Sequence, residues 1–154
     1  MKKLTLPTFS IVAITFICSS ANAQDFYTKA EIDCSDINGI YYCRTNSGAP
    51  VTGTVKDFNG GVLESEQHYM SGRLNGTQKY YYPHTGRLAR EENYTNGKPS
   101  GIFKEYYESG KLKIKAYWYG NRKNGKVYTY DEDGKLLHKI KYTNGHQTSL
   151  EDYY

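Results

Sequence analysis

From Leu112 the chain alternates apolar and polar residues with a period of two. Leu112, Ile114, Ala116 and Trp118 fall on one face of a strand, and Lys111, Lys113, Lys115 and Tyr117 fall on the other. The same reading from Leu136 places Leu136, His138, Ile140 and Tyr142 together, with Lys139 and Lys141 opposite. Glycine recurs every dozen residues or so, which no long helix tolerates. The pattern therefore predicts strands, joined where "ESGK" and "DEDGK" place a glycine for a tight antiparallel turn. A second, wider turn is expected at "YTNGKPSG" and "YTNGHQTS".

These strands belong to a repeat. Leu63, Leu88, Leu112 and Leu136 each follow a glycine by two residues (Gly61, Gly86, Gly110, Gly134), and an aromatic comes six residues later: Tyr69, Tyr94, Trp118, Tyr142. The opening glycines Gly53, Gly76, Gly101 and Gly125 lie 23, 25 and 24 residues apart, and an aromatic follows each by five. Such a period marks a stacked array, because one hairpin is marginal alone and buries its apolar stripe only against neighbours. The expected fold is all-β: a single-sheet, elongated antiparallel meander of stacked β-hairpins, about eight to ten strands in all. Its units span 53–75, 76–100, 101–124 and 125–148, with a partial unit at 149–154 adding a closing strand. Residues 24–52 read as an N-terminal cap, a degenerate repeat in which Pro50 stands where a unit has its leucine.

Composition changes the picture at the N-terminus. Lys2 and Lys3 precede the mostly apolar run Leu4–Cys18, and Ala21 and Ala23 put small residues at −3 and −1. This is the order of a signal peptide, 1–23, cleaved before Gln24, and it implies export to the periplasm or the cell exterior. The apolar run is too short to span a bilayer. Bulky Ile17 argues against a lipid anchor on Cys18.

Removing Lys2 and Lys3 takes the formal charge from +4 to +2. That weak charge gives no electrostatic reason to seek nucleic acid. The mature chain keeps two cysteines, Cys34 and Cys43, and an even pair in an exported chain reads as a disulfide. A zinc pair competes with that reading, but no His or third Cys stands at ligand spacing. The 17 tyrosines suit half-buried sheet positions in a protein with a shallow core.

The units "YYPHTGRL…NYTNGKPSG" and "YYESGKL…YWYGNRKNG" resemble the MORN-repeat variant found in many bacterial proteins. Its common form is a glycine, an aromatic pair, a turn ending Gly-x-Leu, and Tyr-x-Asn-Gly-x-x-x-Gly. The resemblance spans about 53–154. Trp118, Asn121, the missing aromatic pair around Phe58, and Ser149 in place of the final glycine are departures. The resemblance implies a repeat with no catalytic residues of its own. It also implies an interaction protein, of the kind classed as antitoxin or immunity-like, or as a scaffold that contacts membranes.

Candidate chemistry is thin. His68, His84, His138 and His146 fall at non-equivalent repeat positions, and no Gly-x-Ser-x-Gly accompanies them. Glu64 and Glu66 share a strand with His68, as an ordinary solvated face would also show. Asp131–Gly134 has the start of a calcium loop without its downstream bidentate glutamate. No cofactor, no metal and no catalytic residue is expected. The candidate partner-binding face is Lys111, Lys113, Lys115, Tyr117, Tyr119, Lys139 and Lys141. It suits an acidic protein partner or, in the second reading, an anionic membrane surface or cell-wall glycan.

Overall fold

A computed structural model describes residues 26–38 and 40–153. The expected signal segment 1–23, its cleavage point before Gln24, Gly39 and Tyr154 lie outside the described residues.

The strands are β1 (Tyr27–Thr28), β2 (Ile32–Ile37), β3 (Ile40–Thr45), β4 (Gly53–Asn59), β5 (Val62–Met70), β6 (Arg73–Leu74), β7 (Gly76–Tyr81) and β8 (Leu88–Thr95). They continue as β9 (Lys98–Pro99), β10 (Gly101–Tyr106), β11 (Leu112–Tyr119), β12 (Arg122–Lys123), β13 (Gly125–Tyr130), β14 (Leu136–Thr143) and β15 (His146–Asp152). One sheet runs in the order β1-β4-β5-β7-β8-β10-β11-β13-β14-β15, with β6, β9 and β12 pairing beside β5, β8 and β11. All of these pairs are antiparallel except β1 with β4, which is parallel. The expected all-β meander is the observed fold, and the four predicted hairpins are β4–β5, β7–β8, β10–β11 and β13–β14.

Two local features differ from the sequence pattern. The second turn is not wide. Ser71–Gly72, Asn96–Gly97, Gly120–Asn121 and Asn144–Gly145 all have positive φ at both positions, the signature of a two-residue hairpin loop. In the first three units the chain returns only as a two-residue strand, then breaks at Gly76, Gly101 and Gly125, where φ is 94°, 110° and 111°. L-residues rarely adopt that conformation. At the equivalent place in the last unit stands Ser149, and the chain continues, with Thr148 as a bulged residue, as the full edge strand β15.

The second feature is a bulge. Each hairpin shifts register once, at Asp57/Phe58, Tyr80/Tyr81, Glu105/Tyr106 and Thr129/Tyr130. Leu112 pairs with Tyr106 but Ile114 pairs with Glu105, so Lys113 is the extra residue. An inserted residue exchanges the faces on either side of it. Leu112 therefore shares a face with Tyr106 and Lys104, opposite to Ile114, Ala116 and Trp118. Leu136 is likewise separated from His138, Ile140 and Tyr142. The single stripe from Leu112 to Trp118 that strict alternation predicts does not exist.

The turns stack as well as the strands. The N–H groups of Gly72, Gly97, Asn121 and Gly145 donate to the carbonyls of Val51, Leu74, Pro99 and Lys123 at 2.7, 2.8, 3.1 and 2.9 Å. This second ladder, one bond per unit, locks neighbouring units beyond their strand pairing.

β2 and β3 form a two-stranded sheet of their own rather than a strand pair of the meander. Cys34 and Cys43 face each other in this hairpin and are disulfide-bonded. Cys43 is fully buried and joins Val51, Val55 and Tyr69 in the core, with Tyr27, Ile32 and Leu74 packed against them. Its N–H donates to the Gly72 carbonyl (2.7 Å), and Val51 N–H donates to the Cys43 carbonyl (3.1 Å). The hairpin thus caps one face of the first units. Reducing the disulfide is expected to lower the unfolding free energy by roughly 2–3 kcal/mol, the loop-closure value for a bridge of this span. Urea denaturation with and without reductant measures it, and an unchanged midpoint would refute the contribution.

Candidate functional site: two unlike faces of one sheet

The face carrying Lys115 is a charged ladder. Reading across the strands in register, the row is Lys56, Glu66, Lys79, Glu91, Lys104, Lys115, Tyr128, Lys139, Glu151. Directly opposed unlike charges stabilise a sheet, and three of them close: Lys56–Glu66 at 3.6 Å, Glu91–Lys104 at 3.1 Å and Lys139–Glu151 at 2.7 Å. Tyr106 Oη also donates to the Glu91 carboxylate at 3.1 Å. The hydrogen bond that Lys104 donates to Glu91 holds its ammonium above its ordinary pKa. Alternation fails where Lys104 and Lys115 stand side by side.

The seven residues of the expected binding face do not form one row. Lys115, Tyr117, Tyr119, Lys139 and Lys141 share the ladder face. Lys113, the bulged residue, reaches Glu105 at 2.8 Å and lies over the Tyr107 ring at 5.6 Å. Lys111 sits in the hairpin turn, 3.7 Å from Asp133. Lys139 is taken by Glu151, while Lys115 has only the Tyr117 ring, at 5.7 Å. Among the described residues, no carboxylate pairs with Lys115 or Lys141. The positive row is thereby reduced to these two cations and the 74%-exposed Tyr119.

The opposite face carries an aromatic at the same place in every unit, Tyr69, Tyr94, Trp118 and Tyr142, with Tyr80 and Phe103 beside them. Strict alternation put Leu112 on this side, so the sequence reading missed how different the two faces are. The trace of the bulge is Leu136–Leu137, two adjacent apolar residues in an otherwise alternating strand. The cap hairpin covers half of the aromatic row. Tyr42 lies against Gly72 and Ile40 against Gly97, the second residues of the first two of the two-residue turns. Tyr69 is buried and donates to Gln67 Oε1 at 3.3 Å, and Tyr94 donates to Glu92 Oε2 at 2.9 Å. Arg90 Nε lies 3.0 Å from the other oxygen of Glu92, and its guanidinium stacks 4.3 Å from the Tyr80 ring centroid.

Beyond the turns that the cap touches, Trp118 and Tyr142 are partly exposed, and the Lys123 ammonium lies 5.9 and 5.3 Å from their ring centroids. A cavity of about 190 Å³ opens beside Trp118, walled by Tyr94, Pro99, Ile102, Phe103 and Asn121.

Burial, and secondarily Tyr80, pushes the Tyr69 phenol up to about 12. Burial and the Glu92 carboxylate raise Tyr94 as well. The unfolded chain ionises these phenols near 10. Because the folded state keeps their protons longer, this contribution is complete below pH 10 and falls as the pH rises from 10 towards 12. Absorbance titration at alkaline pH is expected to show late phenols ionising together with unfolding. Ionisation of every tyrosine near pH 10 with the fold intact would contradict it.

Of the residues weighed for catalysis, two histidines and Glu64 have partners within the sheet. His68 Nδ1 contacts the Thr77 carbonyl at 2.7 Å, His138 Nδ1 contacts Asp152 at 2.6 Å, and Glu64 accepts from Asn59 at 2.9 Å. Among the described residues, no group of three His, Cys, Asp or Glu side chains is placed to hold a metal ion.

Residues 99–118 and 123–144 match the family model of the MORN repeat variant. These segments hold the open half of the aromatic row, Trp118 and Tyr142, and Lys115 and Lys141 of the ladder face. The chain has no significant match among curated proteins.

Proposed function

We propose that the chain is an exported, non-enzymatic repeat protein that binds another protein through the open half of its aromatic face. The observation that carries this reading is Trp118. It replaces the tyrosine of the other units, lies one unit beyond the Gly97 turn that Ile40 touches, and borders a mostly apolar cavity. Trp in a partly enclosed pocket is the residue type that dominates protein-binding hot spots. The Cys34–Cys43 bond fits an oxidising compartment. In its narrow form the reading is an immunity function, the partner being a toxin that reaches the same compartment.

The test is affinity capture from the periplasmic or secreted fraction, repeated with two variants. Trp118→Ala is expected to weaken the captured complex at least tenfold, a change of about 1.4 kcal/mol. Lys115→Glu with Lys141→Glu is expected to leave it unchanged at physiological salt. The reverse pattern, with salt-sensitive co-sedimentation on anionic vesicles or peptidoglycan, would replace this reading with envelope binding through the ladder face. If the partner is a toxin, co-expression is expected to protect the host and Trp118→Ala to remove that protection.

A further inference from the structure

A larger cavity, about 470 Å³, lies between the cap hairpin and the first two units. It shares only Tyr94 with the lining of the Trp118 pocket, and its role does not rest on the protein-binding reading. Cap residues Ile32, Cys34 and Tyr41 form its roof, and Tyr69, Tyr80 and Tyr94 line its floor with Gln67 between them. The volume lies in the range of small-molecule sites.

The lining chemistry is specific. The nearby charges are already used: Lys29 Nζ is 2.9 Å from Asp57, and Glu92 is shared by Arg90 and Tyr94. Among the described residues, no unpaired charge lines the cavity to meet a charged ligand. The hydroxyl groups, by contrast, are held in a directional chain. Tyr69 Oη donates to Gln67 Oε1, and Gln67 Nε2 donates to Tyr80 Oη at 3.2 Å. Tyr80 then has a proton that no described group accepts, and no described group donates to the Tyr69 or Tyr94 oxygens. The cavity thus offers one donor and acceptor lone pairs, preset by the Gln67 amide, among tyrosine rings. A purely apolar molecule would strip water from these hydroxyls without replacing its hydrogen bonds. A molecule that is polar at its edge and C–H-rich on its faces satisfies both kinds of wall.

We infer that this cavity is a binding site for an uncharged polyhydroxy ligand of about one or two sugar rings, with Tyr80 as its hydrogen-bond donor. The ring faces of Tyr69, Tyr94 and the exposed Tyr41 pack against its C–H surfaces.

Calorimetry and saturation-transfer NMR on the full mature chain test it, with cellobiose, maltose and N,N′-diacetylchitobiose as probes. Indole serves as the apolar comparator. At least one disaccharide is expected to bind at millimolar or lower concentration, and Tyr80→Phe is expected to weaken it about tenfold through loss of one hydroxyl. Tyr41→Ala, at the exposed mouth, gives an independent loss should Tyr80→Phe disturb folding. Failure of all three sugars, preferential binding of indole, or affinity unchanged in both variants overturns the inference.

Discussion

Gly72→Ala is expected to be the most damaging single-methyl addition to this protein. Gly72 has φ of +79°, where a Cβ already carries a left-handed penalty of roughly 1–2 kcal/mol. The tertiary surroundings add more. A Cβ there would lie 2.7 Å from two atoms of the Tyr42 ring and 2.9 Å from the Cys43 carbonyl oxygen. The residue cannot slide away cheaply, because its N–H donates to Val51 and its carbonyl accepts from Cys43, both at 2.7 Å. Overpacking of this kind adds roughly 1–3 kcal/mol, giving a total loss of about 4 kcal/mol. The control is Gly110→Ala. Its φ is +91°, yet nothing stands within 4 Å of the added carbon, so only the backbone penalty of about 1–2 kcal/mol applies. Denaturant unfolding of the two variants separates local strain from cap contact. Equal losses would show that the cap does not press on the Gly72 turn.

Gln78→Leu is expected to destabilise by about 3 kcal/mol, near 1 for each hydrogen bond lost. Val55, Phe103 and Val127 occupy the equivalent place in the other units, so an apolar side chain is the rule there. Gln78 is nevertheless fully buried. β5 and β7 pair only through Ser65–Tyr80 and Glu66–Lys79 before they diverge around β6. The Gln78 amide fills that wedge. Its Oε1 accepts the His68 N–H at 2.7 Å, and its Nε2 donates to the carbonyls of Gly76 at 3.0 Å and His68 at 3.3 Å. The His68 carbonyl keeps a second donor, the Asn75 N–H at 2.9 Å. The His68 N–H has no such substitute, and leucine, of similar volume, leaves it unpaired. Local opening should appear as faster amide hydrogen exchange at His68. A Gln78→Leu protein as stable as the wild type would rule the clamp out.

The repeat itself is written in the chain. One glycine per turn, one Leu two residues on and one aromatic six beyond that are local requirements, met by residue types with the right φ or the right shape for a sheet. They were enough to predict hairpins, their order and the closing strand. Asn121, at φ +75°, takes the place of glycine in that turn, asparagine being among the residue types that best tolerate positive φ. The pairing of Cys34 with Cys43 followed from the count of cysteines.

What the sequence could not decide is which side chains face together. Period two assigns faces only while strands stay in register, and each hairpin here inserts one bulged residue. That insertion moves Leu112 across the sheet from Trp118 and turns Lys113 towards Glu105, out of the lysine row. A bulge is set by two strands together, and in the sequence its one trace is the broken alternation at Leu136–Leu137. The cap is a second case. Nothing between residues 24 and 52 says that Tyr42 will rest on Gly72 and Ile40 on Gly97, because those contacts join segments brought together by the Cys43–Gly72 and Val51–Gly72 hydrogen bonds. Local conformational preference determined the repeat. Contacts between distant segments decided its two faces, the covered half of its aromatic row and the place where Trp118 is left open.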